Sequence, residues 1–179
     1  QADRFMEQQL YHGKRPRAYA FLLEKCKENP TLFLGLYLDD ELIGAIQGFP
    51  RDDYLLMSEL AVDIRFRKRS FGAQLVKAFE TNAKKLNYTK IKLGAEDTAT
   101  LFYFSLGYKP SLFLQVSENE QEKVMNQLQK DKQEILNISV VNHLAGIEVA
   151  VDSLDQAKLA SLKKQFNPVS AQFLFSKHL

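Results

Sequence analysis

At 179 residues, with 45% apolar and 26% charged side chains, the chain is long enough for one full globular domain and a small appendage. A net charge of +2 is too close to neutral to argue for nucleic acid, and no apolar run approaches the ~20 residues that a membrane-spanning helix needs. One cysteine, Cys26, excludes an intrachain disulfide and a zinc–thiolate cluster, and it suits a reducing cytoplasm. His12, His143 and His178 stand far apart without ligand spacing, so no metal is expected. The first residue is Gln1, which leaves room for a leader ahead of it, and what is present contains no secretory apolar core.

From Arg4, the stripe Phe5, Met6 and Leu10 predicts a helix that breaks at residues 11–16. Tyr19, Leu22, Leu23 and Cys26 predict a second helix, with Cys26 as a buried structural thiol. Pro16 fits its first turn, where the missing N–H is harmless, and Asn29-Pro30 ends it. Residues 32–38 and 42–49 read as strands joined at Asp39-Asp40-Glu41. After a turn at residues 50–53, a third strand covers 54–64. A basic run follows, then an amphipathic helix with Phe71, Leu75, Phe79, Ala83 and Leu86 on its apolar face. Residues 90–95 form a strand. Asp97 or Thr98 caps a short helix that stops at Gly107, and 112–116 is a further strand. Three hairpin-connected strands followed by strand–helix–strand imply an α/β protein of the α+β kind: a mixed, mostly antiparallel sheet flanked by helices.

Beyond Val116 the organisation restarts. Ser117-x-x-Glu120 and Ser153-x-x-Gln156 have the capping-box form, and Leu136/Ile138/Val140, Ile147/Val149/Val151 and Val169/Ala171/Phe173/Phe175 alternate as strands. The reading is a full-sized first domain over 1–116 and a small αββαβ module over 117–179. So few elements bury little surface. Phe173, Phe175 and Ile147 are therefore expected to need cover from the first domain or from a second copy in a homodimer. No cluster of titratable groups assigns chemistry to this module.

The segment from Leu60 to Ala73 carries the chemistry: a strand ends, a basic turn follows, and a helix begins. Amide N–H groups at a helix N-terminus, with the positive end of the helix dipole, form an anion site. Arg67, Lys68 and Arg69 add charge, and Gly72 admits close approach. A pyrophosphate is the natural occupant. Neither G-x-x-x-x-G-K-[ST] nor G-x-G-x-x-G is present.

The run Arg67-x-x-Ser70-x-Gly72 resembles the Q/R-x-x-G-x-G/A segment of the GNAT-superfamily acetyltransferases. Leu60-Ala61-Val62-Asp63 resembles the end of that family's fourth strand, and residues 101–108 (LFYFSLGY) its "fY-x-x-lGF/Y" stretch, in the right order and spacing. Ser70 and Lys68 stand where the family often has glycine, and the family's first strand is not evident before Arg4. The resemblance implies acetyl-CoA as co-substrate. Main chain at Leu60, Ala61 and Val62 would pair with the pantetheine arm. Arg67, Lys68, Arg69, Ser70, Phe71, Gly72 and Ala73 would hold the pyrophosphate. It also implies direct attack by an acceptor amine, which requires a base and an acid for the leaving thiolate.

Tyr103 matches the family's tyrosine beside the sulfur, the alternative being a tyrosine that only packs. Glu59 is the acid nearest the family's base position, which Ser58 occupies here. Strict strand alternation would turn Glu59 away from the substrate. Glu96 is a second candidate for the base. Lys14, Arg15 and Arg17 border the acceptor cleft by the same resemblance, and as plain exposed charges they need no role. The implied activity is an N-acyltransferase acting on an amine of a small molecule, peptide or protein, with neither nucleic acid nor membrane as partner. Two other readings stay open: a CoA-binding sensor without turnover, and a nucleic-acid contact through the basic run.

Overall fold

The Asp39-Asp40 turn rests on two consecutive left-handed residues, φ 47° and 64°, the two-residue hairpin geometry whose twist matches that of the strands it joins. In the computed structural model, which describes residues 2–12, 14 and 19–179, this turn links β1 (Phe33–Leu38) to β2 (Glu41–Pro50). Helices α1 (Ala2–Tyr11) and α2 (Tyr19–Glu28) precede them. Arg15, Pro16 and Arg17 lie outside the described residues, as do the side chains of Tyr19, Leu22, Leu23 and Cys26 that sequence assigns to an apolar face. The first unit (Gln1–Leu93 with His178–Leu179) continues through β3 (Leu55–Val62) and α3 (Phe71–Lys85) into β4 (Lys90–Gly94). Its strands follow the order β1-β2-β3-β4. The first two pairings are antiparallel and the last is parallel.

Both faces of the β2–β3 pair are covered. Met6 of α1 packs with Ala45 and Ala61, and the Phe21 ring of α2 meets Phe49 edge-on at 5.3 Å. On the opposite face, Gly44 lies against Leu75 and Gly48 against Phe79, both on α3. This two-sided burial explains why residues 42–49 read as one apolar run rather than an alternation.

The second unit, Gly94–Lys177, contains α4 (Thr100–Ser105), β5 (Lys109–Ser117), α5 (Gln121–Lys130), β6 (Ile135–Val141), β7 (Leu144–Ala150), α6 (Gln156–Phe166) and β8 (Ser170–His178, whose last residue belongs to the first unit). The strand order is β8-β5-β7-β6, antiparallel throughout. The αββαβ order expected beyond Val116 is present. Its sheet closes around β5, which pairs with β7 on one side and β8 on the other. Ile147, Phe173 and Phe175 are fully buried, as are Leu112, Leu114 and Leu128 of the same unit. Each of the three pairs with a residue of β5, which the sequence reading places in the first domain: Leu114 with Ile147, Leu112 with Phe173 and Pro110 with Phe175. The α6 cap also differs: Asp155, not Ser153, accepts from the Lys158 amide at 2.8 Å, and Ser117 caps nothing. No described helix is long and apolar enough to cross a membrane.

Gly48 sets the spacing between sheet and helix in the first unit. A Cβ there would stand 2.3 Å from the Leu56 carbonyl oxygen and 2.5 Å from the Phe79 ring. Backbone cannot yield to it, so Gly48→Ala is expected to cost about 3 kcal/mol or more, at the upper end of overpacking penalties. A fall of the urea midpoint at unchanged m-value checks this.

Candidate functional site

Strand β3 departs from a regular ladder in two ways. Opposite β2, Gln47 pairs with Glu59 and the next residue, Gly48, pairs with Met57, so Ser58 is an extra residue in a β-bulge. Opposite β4, the ladder consists of Leu55–Ile91 and Leu56–Lys92 and then stops. Beyond Leu56 the two parallel strands part. Residues 57–62 have no ladder partner on that side among the described residues, so their main-chain donors and acceptors are left for something else. The edge reaches Val62, whose carbonyl accepts from Arg67 Nε at 2.9 Å.

The chain leaves β3 through a single helical turn at Ile64–Phe66. Asp63 shapes it by accepting from the Arg65 amide at 2.9 Å and from the Arg65 guanidinium at 2.8 and 3.1 Å. Those hydrogen bonds hold the Asp63 carboxyl below the usual aspartate range. Arg65 is also bonded to Glu41, so its charge is engaged by two carboxylates. Arg69 and Arg65 both lie over the Phe66 ring, at 5.8 and 5.2 Å from its centre. Arg67, Lys68 and Arg69 are exposed.

Lys68 and Ser70 take positive φ, 62° and 60°, the two positions where glycine would be expected. The left-handed residue at Ser70 turns the chain directly into α3. Its side chain caps nothing, and the first carbonyl it offers accepts from Gln74 at 3.0 Å. The amides of Phe71, Gly72 and Ala73 thus belong to the helix's unpaired first turn, which carries no acidic side chain to compete for them. The unpaired edge of β3 leads into this amide cluster within a dozen residues. A ligand with an extended amide-bearing arm and a diphosphate fits both parts.

Glu59 is buried, and the bulge decides where it points. With Ser58 inserted, Glu59 shares a face with Gln47 and Ala61, the face on which α1 lies. Its carboxylate accepts from the Tyr11 hydroxyl at the end of α1 and from the Gln47 side-chain amide. Burial raises its pKa above the usual carboxylate range, with both hydrogen bonds opposing. Alternation alone assigns Glu59 to the other face, because a bulge leaves no mark in the sequence. Tyr11 and Gln47 are not identified from sequence. The available signal was a single glutamine inside the apolar run 42–49.

Comparisons with known proteins bear on the family and the fold. The Acetyltransferase (GNAT) domain family matches residues 6–134. The chain belongs to the GNAT acetyltransferase family. Among solved structures, Drosophila melanogaster polyamine N-acetyltransferase, described as forming N-acetylagmatine, superposes with a TM-score of 0.60 at 14% identity, over 100% of this chain and 94% of that one. A mutant of agmatine N-acetyltransferase in its apo form gives 0.55 at 15%, over 96% and 87%. The NatC complex bound to Gag peptide and CoA gives 0.50 at 13%, over 83% and 86%. At these identities the likeness is one of fold. A search of curated proteins returns no match.

The remaining candidates of this GNAT chain lie elsewhere. Lys14 is exposed in the first unit, and Glu96 is exposed in the second. Tyr103, on α4 of the second unit, is 8% exposed, with ring centres of Phe102, Phe175 and Tyr108 at 5.0, 5.9 and 6.0 Å. Burial pushes its phenol up to about 12, so it is protonated at neutral pH. Among the described residues no group of three His, Cys, Asp or Glu side chains is placed to hold a metal.

Left-handed backbone at a non-glycine residue costs about 1–3 kcal/mol, while glycine costs about 0.5–1 kcal/mol in lost chain entropy. Lys68→Gly and Ser70→Gly are each expected to raise stability by about 0.5–1 kcal/mol, read from denaturant midpoints.

Proposed function

We propose that this GNAT protein is an acetyl-CoA-dependent N-acetyltransferase acting by direct attack of an amine in a ternary complex. The observation that carries the reading is the unpaired edge of β3 leading into the open amide cluster of α3. Main chain at Leu60, Ala61 and Val62 pairs with the pantetheine arm. Amides from Lys68 to Ala73, with the Arg67, Lys68 and Arg69 side chains, hold the pyrophosphate. Acetyl-CoA supplies the thioester-activated acyl group. Calorimetric titration with CoA tests the site: micromolar binding is expected for the wild type and none for Gly72→Glu, which sets a carboxylate in the phosphate path. Unchanged affinity in that variant overturns the assignment. Binding without thiol release across an amine panel would leave a CoA-binding module instead.

The reaction forms one C–N bond and breaks one C–S bond. The proton lost from nitrogen balances the one gained by sulfur. Glu59 serves as base, and because both its oxygens already accept hydrogen bonds, the proton reaches it through the Tyr11 hydroxyl. Gln47 keeps the carboxylate oriented. The assignment of Tyr103 to the sulfur rests on its place in the family motif. Tyr103 donates a hydrogen bond to the developing thiolate; an ammonium acceptor gives one proton to Glu59, which releases it to solvent, and after attack the nitrogen gives up a second, which ends on sulfur. Residues 117–179 supply structure and no chemical step. The acceptor is an amine of a small molecule, peptide or protein. The polyamine acetyltransferase with the same fold makes di- and polyamines the first class to screen.

A base must be deprotonated to work, so kcat/KM should rise as pH passes upward through the Glu59 pKa, which lies above the ordinary carboxylate range. Glu59→Gln is expected to abolish that limb. Tyr103→Phe is expected to lower kcat about 10- to 100-fold, the loss of one charge-assisted hydrogen bond, with CoA affinity kept. A pH–rate series on the three proteins, with CoA titrations, reads both effects.

A further inference from the structure

We propose that two copies of this chain associate through strand β6, antiparallel about a two-fold axis at Ser139. In the second unit's strand order β6 stands at an end, paired only with β7. Its seven residues extend about 24 Å. Sheet edges are ordinarily protected by lysine, proline or inward-pointing charge. Residues 135–141 contain none of these. A bulge at Leu136 interrupts the start of the strand, and the segment from Asn137 to Val141 is regular.

Ile138 and Val140 pair with Ile147 and Ala145, so they sit on the sheet's apolar face. Over β5 and β7 that face is sealed: Leu112, Leu114, Ala145, Ile147 and Val149 are buried. Over β6 it is open, with Ile138 and Val140 exposed by 37% and 47%; Leu136 in the bulge and Val141 on the other face are exposed by 50% and 64%. Four of the twelve exposed large apolar residues among those described thus fall on one strand, a concentration that marks a binding surface.

The occupant that fits is the same strand reversed. Centred on Ser139, antiparallel mating sets Ile138 of each copy opposite Val140 of the other, twice by symmetry, on one continuous apolar face. Charge agrees with this direction. Exposed Lys132 and Glu134 precede the strand, while Glu118 and His143, 3.2 Å apart, stand at its far end. Reversal brings Lys132 toward the end of the strand where Glu118 stands, an attractive pairing. The inference does not depend on the proposed chemistry.

Sedimentation of the full chain up to about 100 μM tests it, a range that captures even a weak micromolar dimer. The wild type is expected to be dimeric and Val140→Lys monomeric, with the same circular dichroism spectrum and thermal midpoint. Ser139→Cys in a Cys26→Ser background is expected to form a covalent dimer on oxidation. A wild type that stays monomeric overturns the proposal. So does a dimer that survives Val140→Lys, or one in which Ser139→Cys does not cross-link.

Discussion

Opposite the Gln47–Gly48 step of β2, strand β3 places three residues, Met57 to Glu59, where two would complete the ladder. The surroundings of Glu59 in the first unit depend on that insertion. It turns Glu59 to the face where α1 ends, within reach of Tyr11 and Gln47. Gly48, across from the insertion, lets the Phe79 ring and the Leu56 carbonyl approach where a side chain would hold them apart. A bulge also sharpens local twist. Just past it, β3 runs free of β4 and offers a main-chain edge from residue 57 to 62.

The end of that edge is shaped by conformation more than by net charge. Arg65, one of four basic residues in the turn, is engaged by Asp63 and Glu41 and acts on the turn's shape. Lys68 and Ser70 hold left-handed backbone that glycine would adopt with less strain. The local strain persists because the surrounding strand, turn and helix fix the chain on both sides. The result is a helix N-terminus whose first amides have no side-chain cap and no competing acid.

In the second unit, β5 is the organising strand, because β7 and β8 pair with it and not with each other. Phe173, Phe175 and Ile147 pair with β5 and are buried, while exposed apolar side chains gather on β6. The homodimer proposed through β6 would use a different strand from those whose exposure the sequence suggested.

Local rules were enough for much of this. Periodicity and turn chemistry marked the helices and strands from Arg4 onward. The Asp39-Asp40-Glu41 connection marked a hairpin, and the run from Leu60 to Ala73 marked a strand, a basic turn and a helix start. These signals lie in residues adjacent in the chain, and the physics that produces them is equally local. The sequence also carried the family, through motifs whose spacing is itself local. The bulge at Ser58, the face chosen by Glu59, its bonds to Tyr11 and Gln47 and the exposure of β6 were decided by tertiary structure alone. Each depends on which strand lies beside which and in what register, and register is a property of pairs of segments: Tyr11 and Glu59 are 48 residues apart. One inserted residue reverses every later side chain on a strand without changing a letter of the pattern, so only the assembled sheet determines which carboxylate faces the first helix.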